Sequence, residues 1–204
     1  GNWQGEITDQ RKDGTTYPKY ISISKMFDRK SNTLSNFLEV FEDLTSVRIT
    51  EEAINKIKHY DEATGLPTQV LFEMKVREYI KQIDRMAVVV LQVTNFNALY
   101  DNLGKKSGAI LINEVSRRIQ TFLSATDLLG ILHKDQFIMA RINSNDKLEM
   151  GHLMNKMITY IREPIEIDTE KVYLNVSIGI AVFQDDSADL EKLIEYANIA
   201  KNYA

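Results

Sequence analysis

The 204-residue chain contains no cysteine. Disulfides and thiolate metal centres are therefore excluded, and the composition fits a reducing, cytoplasmic setting. It also lacks a basic excess. Its 25 Lys+Arg stand against 29 Asp+Glu, a net charge of −4, whereas a nucleic-acid face is usually strongly basic. No nucleic-acid partner is expected. Long hydrophobic runs are missing too: stretches such as Met86–Leu91 are far too short to span a bilayer, and no signal peptide is visible. The chain opens on Gly1 rather than Met and is expected to be a piece of a longer protein. What is there is ordinary for a soluble globular protein, 44% hydrophobic and 26% charged, with length for one or two domains.

Residues 1–45 read as β-structure. Trp3, Gly5 and Ile7 alternate with polar residues, Lys12-Asp13-Gly14 is a hairpin turn, and Thr15 to Ser24 alternates again. A polar connection, Asp28 to Asn32, leads to a third strand from Thr33 to Phe41. Three such strands cannot bury both faces alone. The string WQGEITDQRKDGTTY, with the third strand and Asp43-Leu44-Thr45, resembles the C-terminal strands of a PAS sensor domain. Residues 46–60 read as a connecting helix, with Val47, Thr50, Ile54 and Ile57 at spacings of three and four. Such a stripe serves either to pair with a second copy or to dock on its own domain.

From Asp61 a second domain begins. Thr64-Gly65-Leu66-Pro67 is a turn, with Pro67 near the first turn of a helix that runs on to Ile83. Met86 to Val93 is a buried strand, and Asn95 to Phe122 a helix broken near Gly104. Leu128–Leu132 and Gln136–Ile142 form a hairpin around the polar knot His133-Lys134-Asp135-Gln136. A helix is expected from Asp146 to Ile161, strands at Pro164–Asp168 and Val172–Phe183, and a last helix at Asp189–Tyr203. In that last helix Leu190, Leu193, Ile194, Ala197 and Ala200 are expected to point inward. Met150, Met154 and Met157 read as core. The fold expected is α/β (α+β), a mixed central sheet with flanking helices, preceded by a small antiparallel sheet and a connecting helix.

TGLP, the segment ending in NLGKKSG, the hairpin, VSIGIA and ANIAKNYA together resemble a GGDEF domain over residues 61–204. That family is the diguanylate cyclases, with a nucleotidyl-cyclase-like fold. The resemblance implies a module that joins two GTP molecules into cyclic di-GMP, using two facing subunits and divalent metal. The matching site positions depart from the family pattern. Its metal-binding acid at the end of the first core strand is Gln92 here, and its signature hairpin tip reads His133-Lys134-Asp135-Gln136-Phe137, which puts Gln136 at the second metal carboxylate. Neutral amides cannot offset Mg²⁺ charge, and one lone carboxylate is a poor magnesium site. The tip's glycines are replaced by two long side chains, expected to meet positive-φ strain of about 1–2 kcal/mol. Lys134 is either a phosphate attractor or, with His133, a solvated turn residue.

The guanine-reading positions are replaced by Tyr100 and Ala109, and an arginine position by Ile131. A family product-inhibition site, Arg-x-x-Asp, reads Ser124-Ala125-Thr126-Asp127, so the arginine is gone. These departures imply a degenerate GGDEF module with no catalytic residues and no resident metal or cofactor. It would act as a homodimer, or beside a neighbouring domain such as an EAL phosphodiesterase, relaying a PAS-sensed signal. Two other readings stay open: GTP sensing without cyclisation, and residual cyclase activity through Asp135, both with Mg²⁺ and GTP.

Overall fold

The computed structural model describes residues 2–28, 33–142 and 147–204. The polar connection expected after Asp28, the helix start at Asp146, Gly1, and the side chains of Glu52 and Lys147 lie outside the described residues. The chain divides into two compact units, Gly1–Lys56 and Ile57–Ala204.

The first unit is a three-stranded antiparallel sheet, β1 (Trp3–Gln10), β2 (Thr16–Phe27) and β3 (Leu34–Asp43), in that order. Gly14 takes φ 89° in the first hairpin, and the Asp13 carboxylate accepts from the Thr15 amide at 2.9 Å. Alternation places few side chains against a partner. Among the described residues of this unit, Ile21 is the one buried apolar side chain, while Phe37, Val40 and Phe41 are more than half exposed. Lys19 is buried between Asp9 at 2.7 Å and Glu39 at 3.0 Å. Helix α1 (Thr45–His59) starts where Asp43 accepts from the Thr45 amide at 2.9 Å. Val47, Ile54 and Ile57 are exposed along it.

The second unit is a sheet covered on both faces. Its elements are α2 (Gln69–Ile80), β4 (Met86–Val93), α3 (Phe96–Gln120), β5 (Leu128–His133), β6 (Gln136–Ile142), α4 (Lys147–Ile161), β7 (Ile165–Ile167), β8 (Glu170–Val172), β9 (Val176–Val182) and α5 (Leu190–Asn202). The central order is β5-β6-β4-β9. Where a mixed sheet was expected, all three central ladders are antiparallel; a parallel bridge, Thr68 to Ile131, attaches the chain ahead of α2. The Pro67 carbonyl accepts from the Ile131 amide at 2.9 Å, which seats the TGLP turn on β5.

β4 sorts the core by parity, because successive strand residues face opposite sides. Ala87, Val89, Leu91 and Val93 pack with residues of α3 and α4. Met86, Val88 and Val90 pack with residues of α2 and α5. Met150, Met154 and Met157 are buried in the first layer, as their spacing implies.

The strand expected from Val172 to Phe183 is interrupted. β8 pairs with β7, and β9 joins β4. Residues 173–175 turn aside because Asn95 binds both ends of the break: its amide donates to the Tyr173 carbonyl at 3.0 Å and its oxygen accepts from the Asn175 amide at 2.9 Å. The helix break falls at Gly104, with φ 79° and ψ 172°.

Arg118, buried on α3, points its guanidinium at the carbonyls that end α4. It donates to Tyr160 and Ile161 at 3.0 Å each and to Pro164 at 3.2 Å. These carbonyls have no helical partner of their own. Glu114 completes the arrangement, accepting from Arg117 at 2.7 Å and Arg118 at 2.9 Å. Its hydrogen bond from Arg117, then that from Arg118, outweigh burial and hold its pKa down to about 2, from an ordinary 4.5. A depressed folded-state pKa means the stability is complete above pH 4.5 and fades as pH falls towards about 2. E114Q is therefore expected to be less stable than wild type at neutral pH, by about 1 kcal/mol or less. That gap should close on acidification; melting curves in a pH series check it, and a pH-independent gap contradicts the assignment.

Candidate functional site

The polar end of β4 is where strand geometry brings chemistry together. Gln92 has the parity of Met86, Val88 and Val90, so it points to the layer that α5 covers. In the ladders it lies opposite Gln136 of β6 and Ser177 of β9. The two amides expected at the metal positions are thus cross-strand neighbours. The Gln92 side chain, however, bonds elsewhere. Its amide nitrogen donates to Asp135 Oδ2 at 2.8 Å, and its oxygen accepts from Lys201 Nζ, also at 2.8 Å.

Lys201 is 4% exposed and was not among the residues expected here. Burial pushes its pKa below the ordinary lysine value, and the Asp135 carboxylate opposes that shift. The expected inward stripe of α5 is corrected at its end: Ala200 is exposed and Lys201 is buried. The signal was present as spacing, since Leu190, Leu193, Ile194, Ala197 and Lys201 continue one helical face.

The hairpin tip bends without the strain expected of it. Among the described non-glycine residues, positive φ occurs at Asp168 and Gln184, not at His133, Lys134 or Asp135. Instead the β5–β6 register shifts by one residue between Ile131 and His133, and this irregularity absorbs the bend. Asp135 also accepts the Val93 amide through its carbonyl at 2.9 Å, fixing the tip against the end of β4. Phe137 is fully buried beneath it.

The positions expected to be degenerate for nucleotide lie around a separate cleft of about 500 Å³. Tyr100, Ala109, Ile131 and Lys134 line it together with Lys105 and Phe96. The Tyr100 ring packs closely against Gly108, where a Cβ would meet it. Lys134 is placed with Nζ 5.3 Å from the Tyr100 ring centre, a cation–π distance. Ala109 offers no side-chain hydrogen bond, and Ile131 belongs to the core. Asp61, at the rim, is committed to the TGLP turn through Thr64 at 2.8 Å.

Ser124 and Asp127 form a closed loop of their own. The Asp127 carboxylate accepts from the Ser124 amide at 2.8 Å and the Ile142 amide at 3.2 Å, and pairs with Arg141 at 3.0 Å. The acid is a structural anchor for the start of β5.

The comparisons with known proteins fit this fold. The family profile described as diguanylate cyclase, GGDEF domain, matches residues 58–204. The chain belongs to that family, the GGDEF domains of cyclic di-GMP signalling proteins. It is 28% identical over 191 residues to the uncharacterized protein y4lL of Sinorhizobium fredii, covering 88% of this chain and 23% of that protein. It is 27% identical over 164 residues to the bifunctional diguanylate cyclase/cyclic di-GMP phosphodiesterase MucR of Pseudomonas aeruginosa, covering 78% and 24%. The chain thus spans under a quarter of the length of these relatives. A crystal structure of a sensory box/GGDEF family protein from Caulobacter crescentus superposes with a TM-score of 0.67 at 24% identity, covering 72% of this chain and 97% of that one. That likeness is one of fold.

Gly179 sets how closely α5 approaches β9 and hence where Lys201 lies. A Cβ at Gly179 would stand 1.9 Å from the Ala197 carbonyl oxygen and 2.3 Å from the Lys201 nitrogen, both backbone atoms that cannot move aside alone. Gly179→Ala is expected to lower stability by about 3 kcal/mol or more, at or beyond the upper end for overpacking. Denaturant melts check this, and an unchanged midpoint refutes the close approach.

Proposed function

We propose that the chain is a non-catalytic GGDEF module of a cyclic di-GMP signalling protein. It relays a signal from the first, PAS-type sheet through α1 to a further domain, for which an EAL phosphodiesterase is the best candidate. The observation that carries this reading is the bonding of Gln92. Magnesium asks for several hard oxygens, carboxylates foremost, in near-octahedral array. Here the neighbouring donors are two neutral amides and one carboxylate, and the Gln92 oxygen already accepts from an ammonium. This donor set does not fit the metal that the family's reaction uses. MucR, which carries both activities in its name, supports an EAL-type neighbour.

A second reading, GTP binding without cyclisation, is favoured by the cleft beside Tyr100 and by Lys134 and Lys105 on its wall. Against it, the positions at which the family reads the base hold Tyr100 and Ala109, and buried hydrogen bonds left unmade cost about 1–3 kcal/mol each. Incubation with GTP and Mg²⁺ or Mn²⁺ is expected to yield no cyclic di-GMP by chromatography. Product above a protein-free control overturns the non-catalytic reading, and calorimetric GTP binding without product favours the second.

Homodimer formation is part of the proposal. Val47, Ile54 and Ile57 make an exposed apolar stripe along α1, with Ile57 78% exposed. An exposed stripe at this spacing suits pairing with a second copy. Sedimentation is expected to show a dimer for the wild-type chain and a monomer for I54D/I57D. A dimer that survives both substitutions places the pairing surface elsewhere.

A further inference from the structure

We infer that the Lys201 ammonium is a built-in cation standing in for a divalent ion at the Gln92 end of β4, so that this end of the fold takes up neither Mg²⁺ nor Mn²⁺. The inference deepens the reading above by naming what holds the position instead.

The chemistry of the three groups fixes their order. An ammonium only donates, a carboxylate only accepts, and a primary amide does both at opposite ends. Gln92 is therefore oriented with its oxygen to Lys201 and its nitrogen to Asp135, as observed at 2.8 Å on each side. Ammonium, amide and carboxylate sum to zero charge. A divalent ion seeking the Asp135 carboxylate would find the nearby amide oxygen taken. It would also meet a like charge in a poorly hydrated place, where repulsion is strong. With an acid in place of Gln92, the cluster would carry a net negative charge.

Two features keep the ammonium in place. The side chain is buried against the α5-facing layer, and its backbone is held where Gly179 lets the helix touch β9. The row Gln136, Gln92 and Ser177 across the sheet is otherwise uncharged. Lys201 is thus the cation to which this end of the sheet is fitted.

The test uses Mn²⁺ as the probe and the chain of 204 residues as it stands. Free Mn²⁺ is followed by electron paramagnetic resonance as wild type, K201M and Q92D/K201M are added. Wild type is expected to leave the free signal unchanged. Q92D/K201M, which brings two carboxylates together and removes the ammonium, is expected to bind about tenfold or more tightly than wild type. A folded double variant that binds no better overturns the inference. A second measurement needs no variant: in wild type, the Gln92 side-chain amide resonance should stay sharp as Mn²⁺ is titrated. Selective broadening of that resonance overturns the inference even if no variant folds. A protein silent with GTP but binding Mn²⁺ here would sink this inference and leave the proposed function standing.

Discussion

β4 is the constraint on which the second unit depends. Seven of its eight residues are buried, and it lies between β6 and β9 with helices over both faces. A strand in that position must be apolar on both sides, and its period of two then decides which helix each side chain meets. A slip of one residue would exchange the two layers and turn Gln92 away from α5. The same pairing that builds the core therefore also aims the polar end of the strand. Burial of this kind stabilises by about 25 cal/mol per Å² of apolar surface, so the aim is held by the whole sheet and not by the polar contacts themselves.

Two of the buried cations, both in the second unit, show how the protein handles charge in a low-dielectric interior. Arg118 is planar with five donors, and it is surrounded by carbonyls that end α4 and by Glu114. A fork of fixed donors suits several fixed acceptors. Lys201 is a point charge that donates to the Gln92 oxygen, with a carboxylate one amide away. The arginine is satisfied by backbone that must be there in any case. The lysine depends on the side chain of Gln92 rather than on backbone.

Much of the fold was legible before the structure. The hairpin, the break at Gly104, the continuous apolar strand Met86–Val93 and the methionines of α4 follow from periodicity and from glycine chemistry. Other features were illegible for definite reasons. The break at residues 173–175 depends on Asn95, some eighty residues away in sequence, and no local pattern announces it. Antiparallel pairing of β4 with β9 is a choice of topology that hydrophobicity does not encode. The tip's freedom from positive φ arises from a register shift in its flanking strands, whereas residue type alone suggested strain. At the site, the family resemblance implied amides in place of acids at Gln92 and Gln136, but not the Lys201 ammonium that donates to Gln92. Lys201 closes the inward face of α5 one residue beyond Ala200, which was expected there.

The scaffold and the site come apart because different interactions hold them. The core is an additive sum over many apolar contacts, spread across the strands of the second unit and four helices. The chemistry of a metal site is a matter of net charge at one strand end. Clustered carboxylates repel one another and are strained until a cation arrives, so an active metal site is a local cost to the fold. Replacing them by amides removes that repulsion, and an ammonium compensates the acid that stays. Once Lys201 neutralises Asp135 through Gln92, the end of the sheet has no electrostatic need for an ion. Under the proposed reading, the amides and the ammonium that leave this strand end without a metal also relieve the fold of that local repulsion.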